Sequence, residues 1–285
     1  MRAGLVALHG ASDGRARQPL FDQIGAILSP VGVALLSYER RQVGDQQDTP
    51  LDIQAHDATA AARALKAEIG CPVGVFGFSQ GAWAATLAAA DPITEFLIVL
   101  GCSGVTPAAQ MRYYCDQLLK RHGYTRQDRD DLLRLRMMVE DYLRASDPDD
   151  SRRGRVSAQL RAASTMPWFE HAYLPEEPPP GEAKWSDMDF DPAPTFADVD
   201  VPVLATWGSD EECVPRIASQ RLWHTAGADV TVVDLPGCGH WPVIGSGEPG
   251  YSGWDTDPLS RDFAAALISW LSQQFPATGK ATSAT

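Results

Sequence analysis

The chain has 285 residues, 44% of them hydrophobic and 21% charged, which suits one large globular domain or one domain carrying an insertion. A formal net charge of −13 repels phosphate backbones and argues against a nucleic-acid partner. No apolar run approaches the roughly 20 residues of a membrane span. The run at residues 3–8 is too short for a signal-peptide core, and the cysteines (Cys71, Cys102, Cys115, Cys213 and Cys238) lack metal-ligand spacing. A cytoplasmic protein with free thiols, no metal and no membrane partner is therefore expected.

In chain order, a strand is predicted at residues 3–8, a helix at about 20–28, a strand at 31–37, a helix at 53–69 and a strand at 73–78. A helix built of small residues (Gly81, Ala82, Ala84, Ala85) starts directly after Ser79, and a fourth strand is predicted at 95–101. Residues 106–195 break this alternation. Thr125 to Asp128 resembles a capping box, and Leu132, Leu135, Val139, Tyr142 and Leu143 then recur at helical spacing, with Asp130, Arg134, Arg136, Glu140 and Asp141 on the other face. Two or three helices fit between about 107 and 164, before the irregular Pro175 to Gly181 stretch.

Strands are predicted again at 201–207 and 229–235, followed by a helix with Leu259, Phe263, Leu267 and Leu271 on one stripe and a polar tail at 276–285. Short, continuous apolar strands alternating with helices indicate an α/β fold, a mainly parallel sheet of about six strands buried on both faces. Residues 1–105 and 196–275 form this core, and 106–195 a helical cap.

The chemistry concentrates at three places. Ser79 stands in Gly77-Phe78-Ser79-Gln80-Gly81, between a strand and a helix, where a tight turn raises a hydroxyl above the sheet and leaves no space for side chains at its glycine neighbours. His240, in Gly237-Cys238-Gly239-His240-Trp241, lies between the last strand and the last helix, where a base is brought to the same sheet edge. Gly208 to Pro215 follows the fifth strand and offers Asp210, Glu211 and Glu212. A serine needs a base and the base needs a carboxylate; only one of these acids can point at the histidine, and the others serve as solvated loop residues or as an N-cap for the helix after Val214. Two backbone N–H groups, those of Gln80 and Ala11, are placed to hold an oxyanion, with His9 shaping the loop His9-Gly10-Ala11-Ser12.

These segments resemble the α/β-hydrolase superfamily, and more narrowly bacterial esterases related to the prolyl-oligopeptidase and dienelactone-hydrolase groups. Tyr38-Glu39-Arg40-Arg41-Gln42-Val43-Gly44 is similar to the family's Tyr-Asp-Lys-Arg-Gly-Val-Gly, with Gln42 in place of glycine. The elbow, Val201-Pro202 through Val214-Pro215, Asp191 to Pro194 and Pro236 to His240 carry the rest. The family pattern Gly-x-x-Asp-x-x-Val-Pro falls on Glu211, with Asp210 as the alternative acid, and the first two strands of the full family sheet are missing.

The resemblance implies a serine hydrolase acting on an ester, lactone or thioester through an acyl-enzyme, without cofactor, as a monomer or homodimer. A lyase, cyclase or acyltransferase would use the same residues; a non-catalytic binding module would not need them all. The cap is expected to work as a lid. Met166, Trp168, Phe169, Tyr173 and Trp185, with His9 and Trp241, are candidates to line an apolar pocket.

Overall fold

The computed structural model of the chain describes residues 1–11, 17–41, 43, 49–145, 150–178 and 185–276. Among the described residues, six parallel strands, β1 (Ala3–Leu8), β2 (Val33–Ser37), β3 (Val73–Phe78), β4 (Leu97–Leu100), β5 (Val203–Gly208) and β6 (Val230–Leu235), form one sheet in the order β2-β1-β3-β4-β5-β6. The strand order reverses between β1 and β3. At such a switch point the loops leaving two neighbouring strands diverge and open a crevice at the carboxyl edge. Leu8 pairs in register with Gly77, so the segment after β1 and the turn after β3 emerge side by side.

The helices α1 (Arg17–Leu28), α2 (Leu51–Ile69), α3 (Gln80–Ala88), α7 (Pro192–Ala197), α8 (Arg216–Thr225) and α9 (Arg261–Gln274) cover both faces of the sheet. Successive strand residues point to opposite sides. Val75, Leu97 and Val99 pack with α2, α3, α7 and α8, whereas Phe76, Ile98 and Leu100 pack with α1 and α9. Strands buried on both faces read as continuous apolar runs, which is why they were visible in the sequence. α3 is rich in alanine and carries Gly81 where it passes closest to the chain leaving β1: a Cβ at Gly81 would lie 2.5 Å from the His9 carbonyl oxygen.

Between β4 and β5 the chain forms α4 (Pro107–Arg121), α5 (Arg126–Arg144) and α6 (Asp150–Ala163). The Thr125 and Asp128 capping box starts α5. These helices enclose a separate apolar cluster that includes Cys115, Leu119, Leu132, Val139, Leu160 and Trp168, so the insertion stabilises itself rather than borrowing the sheet's core.

Several boundaries differ from expectation for local reasons. β2 begins only at Val33, because Pro30 sits in a 3-10 turn and Gly32 adopts φ 78° to re-aim the chain. β4 ends at Leu100, because Gly101 turns out of the ladder at φ 61°. β5 starts after Pro202, which has no N–H to donate to the ladder. The short α7, capped by the Asp191 carboxylate on the Ala193 N–H, occupies the expected lead-in to β5. No helix among the described residues is long and apolar enough to cross a membrane. Ser12, Gln42, Gly44 and all but the first residue of the expected tail lie outside the described residues.

Candidate active site

Ser79 is the single residue between β3 and α3, at φ 55° and ψ −121°. A non-glycine residue held there costs on the order of 1–3 kcal/mol, and such strain persists only where the surroundings enforce it. Both neighbouring glycines are obligatory. A Cβ at Gly77 would lie 2.4 Å from the Ala82 Cα, and one at Gly81 would meet the backbone leaving β1. The Ser79 N–H donates to the Leu100 carbonyl at 2.9 Å, pinning the turn to β4.

The segment after β6 turns through Gly237 at φ 68° and delivers His240, whose Nε2 lies 2.9 Å from the Ser79 Oγ. Its Nδ1 lies 2.9 and 3.1 Å from the two Glu211 oxygens. A carboxylate can only accept, so Nδ1 donates and Nε2 is left as the acceptor facing the serine hydroxyl. Glu211 is held in turn: its Oε1 accepts from the Cys213 and Val214 N–H groups at 2.8 and 3.2 Å. Gly101 leaves room for the ring, since a Cβ there would approach the His240 Cε1 to 2.9 Å.

Of the two acids left open by the sequence, Glu211 is the one brought to the imidazole. Asp210 is exposed; its N–H donates to the Cys238 carbonyl, and its carboxylate accepts from the Ser209 hydroxyl at 3.3 Å.

Burial disfavours the charged form of His240, but the Glu211 carboxylate, through charge and hydrogen bond, and the charge of Glu212 outweigh it, so the imidazole pKa lies above its ordinary value of 6.5. Among the described residues, the donor atoms of Glu211, Cys213 and His240 lie within 4.8 Å of one another, close enough to hold a metal ion. Glu211 and His240 are already engaged with each other, however, and burial, followed by the charges of Glu211 and Glu212, pushes the Cys213 thiol well up, away from the thiolate a metal needs.

Gly10 lies against the serine, with a Cβ there only 3.0 Å from the Ser79 Cβ. Ala11 follows it on the exposed side, and Gln80 opens α3, where the first N–H groups of a helix lack intrahelical acceptors. The His9 Nδ1 donates to the Gly10 carbonyl at 2.8 Å, a contact within its own loop. The loop is tied down by Arg40, which donates to the carbonyls of His9 and Gly10 at 2.7 and 3.3 Å and to the Gln80 Oε1 at 2.9 Å. In the sequence Arg40 stood out only as part of a family-like segment. Its position directly after β2, at the same sheet edge, was the available signal.

The cap aromatics fall elsewhere. Trp168 is buried inside the insertion's own cluster with Phe169 packed beside it, and Met166 is exposed. Trp185 is half-buried, its carbonyl accepting from the Met188 N–H. Tyr173, exposed and at φ 49°, has its hydroxyl 3.0 Å from that of Tyr114. Trp241 packs on Phe78 with ring centroids 4.7 Å apart, and Phe78 also contacts the His240 ring at 5.1 Å.

It is α4 that lies over the acid loop. Gln110 donates to the Cys213 carbonyl at 2.9 Å, and the Tyr113 phenol is pushed up by burial and then by the charge of Glu211. Tyr113 and Tyr114 are thus α4 aromatics near the acid loop, with Tyr173 against Tyr114, while Trp168 and Phe169 pack within the insertion. Gln110, Tyr113, Tyr114, Gln117 and Arg121 share one helical face, a stripe too polar to read as a core stripe.

A model of the alpha/beta hydrolase family matches residues 5–250. Similar solved structures include a proline iminopeptidase of Mycobacterium smegmatis (17% identity, covering 95% of this chain and 90% of that one, TM-score 0.52). Others are Est1E from Butyrivibrio proteoclasticus (17%, 95% and 87%, TM-score 0.53) and a monoacylglycerol lipase from Paleococcus ferrophilus (15%, 95% and 94%, TM-score 0.52). At these identities they share the fold with this chain. No curated protein matches the chain.

Proposed function

The chain belongs to the alpha/beta hydrolase family, and from that premise we propose that it is a serine hydrolase cleaving a carboxylic ester, lactone or thioester of a small, apolar substrate. The observation that carries this is the unbroken relay from the Ser79 Oγ to the His240 Nε2, and from the His240 Nδ1 to Glu211, each link 2.9 Å.

In the first step the Ser79 Oγ attacks the acyl carbonyl while the His240 Nε2 takes its proton, and the Glu211 carboxylate stabilises the imidazolium that forms. The oxyanion sits between the N–H groups of Gln80 and Ala11, a loop that Arg40 holds in place. His240 then protonates the leaving group. In the second step the same histidine removes a proton from water, which attacks the acyl-enzyme and restores Ser79. Apart from that water, every catalytic group in these steps is a side chain or peptide of the chain. The helical insertion acts as a cap, and Tyr113, Tyr114, Phe78 and Trp241 supply the apolar surface that favours uncharged acyl or alcohol groups. The narrower kinship with prolyl-oligopeptidase- and dienelactone-hydrolase-like esterases rests on the loop motifs alone.

A panel of p-nitrophenyl esters of rising acyl length tests the substrate class. Hydrolysis of several members, reduced by a charged acyl group, is expected. A folded protein whose Ser79 reacts with a serine-directed probe but which turns over no ester or thioester would favour a lyase, cyclase or acyltransferase on the same residues.

The pH profile gives a second check. Neutral His240 is the base, and its raised pKa means that protonation removes it earlier as pH falls. The acid limb of kcat/KM is therefore expected at a midpoint above 6.5; a midpoint below that value would contradict the assignment of His240 as the base that titrates.

A further inference from the structure

We propose that Glu212 and Arg121 form a positioning unit that holds the backbone of His240 and ties the helical insertion to the base; this rests on His240 acting as the general base. Glu211 grips the imidazole, and its chain neighbour grips the peptide. The Glu212 Oε2 accepts the His240 N–H at 3.1 Å. That oxygen reaches the turn only because residue 239 is glycine: a Cβ there would lie 2.7 Å from it and 2.4 Å from the Gly247 nitrogen. The Glu212 carboxylate is mostly buried. Its pKa lies above the usual carboxylate value: burial, and then the charge of Glu211, push it up, and the charges of His240 and Arg121 only partly offset them.

Arg121 closes the arrangement from the last turn of α4. Its guanidinium lies 3.9 Å from the Glu212 Oε2, donates to the Asp210 carbonyl at 3.0 Å, and donates to the Gly247 carbonyl. One cation from the insertion thus spans the acid loop after β5 and the histidine loop after β6. A displacement of α4 pulls on both loops at once, and the serine-to-histidine distance is the quantity it changes. The charge of Glu212 also favours the imidazolium, adding to Glu211. The serine and Glu211 contacts alone would leave the His240 peptide without this anchor.

The unit is tested by Glu212→Gln, Glu212→Ala and Arg121→Gln, read by NMR titration of the His240 imidazole and by kcat and KM separately. The resonance is identified by its absence in His240→Gln. Gln at 212 keeps an oxygen for the His240 N–H but removes the charge, so the His240 midpoint is expected to fall by about half a pH unit or more. Ala removes both, and kcat is expected to fall about tenfold or more at unchanged KM, with Gln recovering most of that loss.

Arg121→Gln is expected to lower kcat severalfold, also without change in KM. An unchanged His240 midpoint in Glu212→Gln, or equal kcat losses for Gln and Ala, would overturn the proposal. The titration needs no turnover, so it still decides if the Ala variant does not fold. Absence of any hydrolysis by the unmodified protein would count against the hydrolase assignment, while the titration would still decide the role of Glu212.

Discussion

Ser79→Ala is expected to lower kcat/KM toward ester substrates by roughly 10^5- to 10^6-fold, the scale of removing a nucleophile from a cooperating triad. Methyl in place of hydroxyl leaves His240 with no serine nucleophile to deprotonate, so the tetrahedral oxyanion that the N–H donors would hold does not form by this route. The fold should survive, because the elbow is set by Gly77, Gly81 and the Ser79 N–H bond to Leu100 and not by the hydroxyl. Stopped-flow or long-incubation assays measure the residue of activity, and a melting curve near that of the unmodified protein excludes misfolding. Activity above one part in a hundred would mean that another group attacks the substrate.

Glu211→Gln should cost on the order of 10^3- to 10^4-fold in kcat, whereas Asp210→Asn should stay within about threefold. An amide at 211 is able to present N–H to the His240 Nδ1. The ring would then take the tautomer with its proton on Nε2, facing the serine and unable to accept. The anchoring of the carboxylate by the Cys213 and Val214 N–H groups makes this position hard to replace from the neighbouring residue. Asp210 is exposed and hydrogen-bonds locally to Ser209. The reverse order of losses would move the acid to Asp210.

The sheet was largely legible in the sequence because its four inner strands are buried on both faces, and β1 and β3 lie where the apolar runs place them. The elbow was legible because its two glycines flank the serine in a recognisable five-residue pattern, although only Gly77 is demanded by local contacts and Gly81 by the backbone leaving β1. The acid was legible only as a loop. Glu211 and Asp210 are adjacent, and the choice between them follows from which side of the Gly208 to Val214 loop faces β6, a relation between segments nearly 30 residues apart.

Arg40 was legible only as part of a family-like segment and Arg121 not at all, because an arginine's partners across the fold leave no local pattern. Arg40 bonds to carbonyls 30 and 31 residues away, and Arg121 to one 126 residues away. The cap aromatics show the converse. Trp168 and Phe169 have the composition of a pocket wall, but α4, α5 and α6 need an interior of their own, and these rings help fill it.

Activation of Ser79 as a nucleophile is measured most directly by reaction of the folded protein with a fluorophosphonate, followed by peptide mapping in a mass spectrometer. A single adduct on Ser79, abolished by Ser79→Ala and strongly slowed by His240→Gln, is the predicted result. Folded protein that takes up no label at Ser79, or takes it up equally without His240, would contradict it.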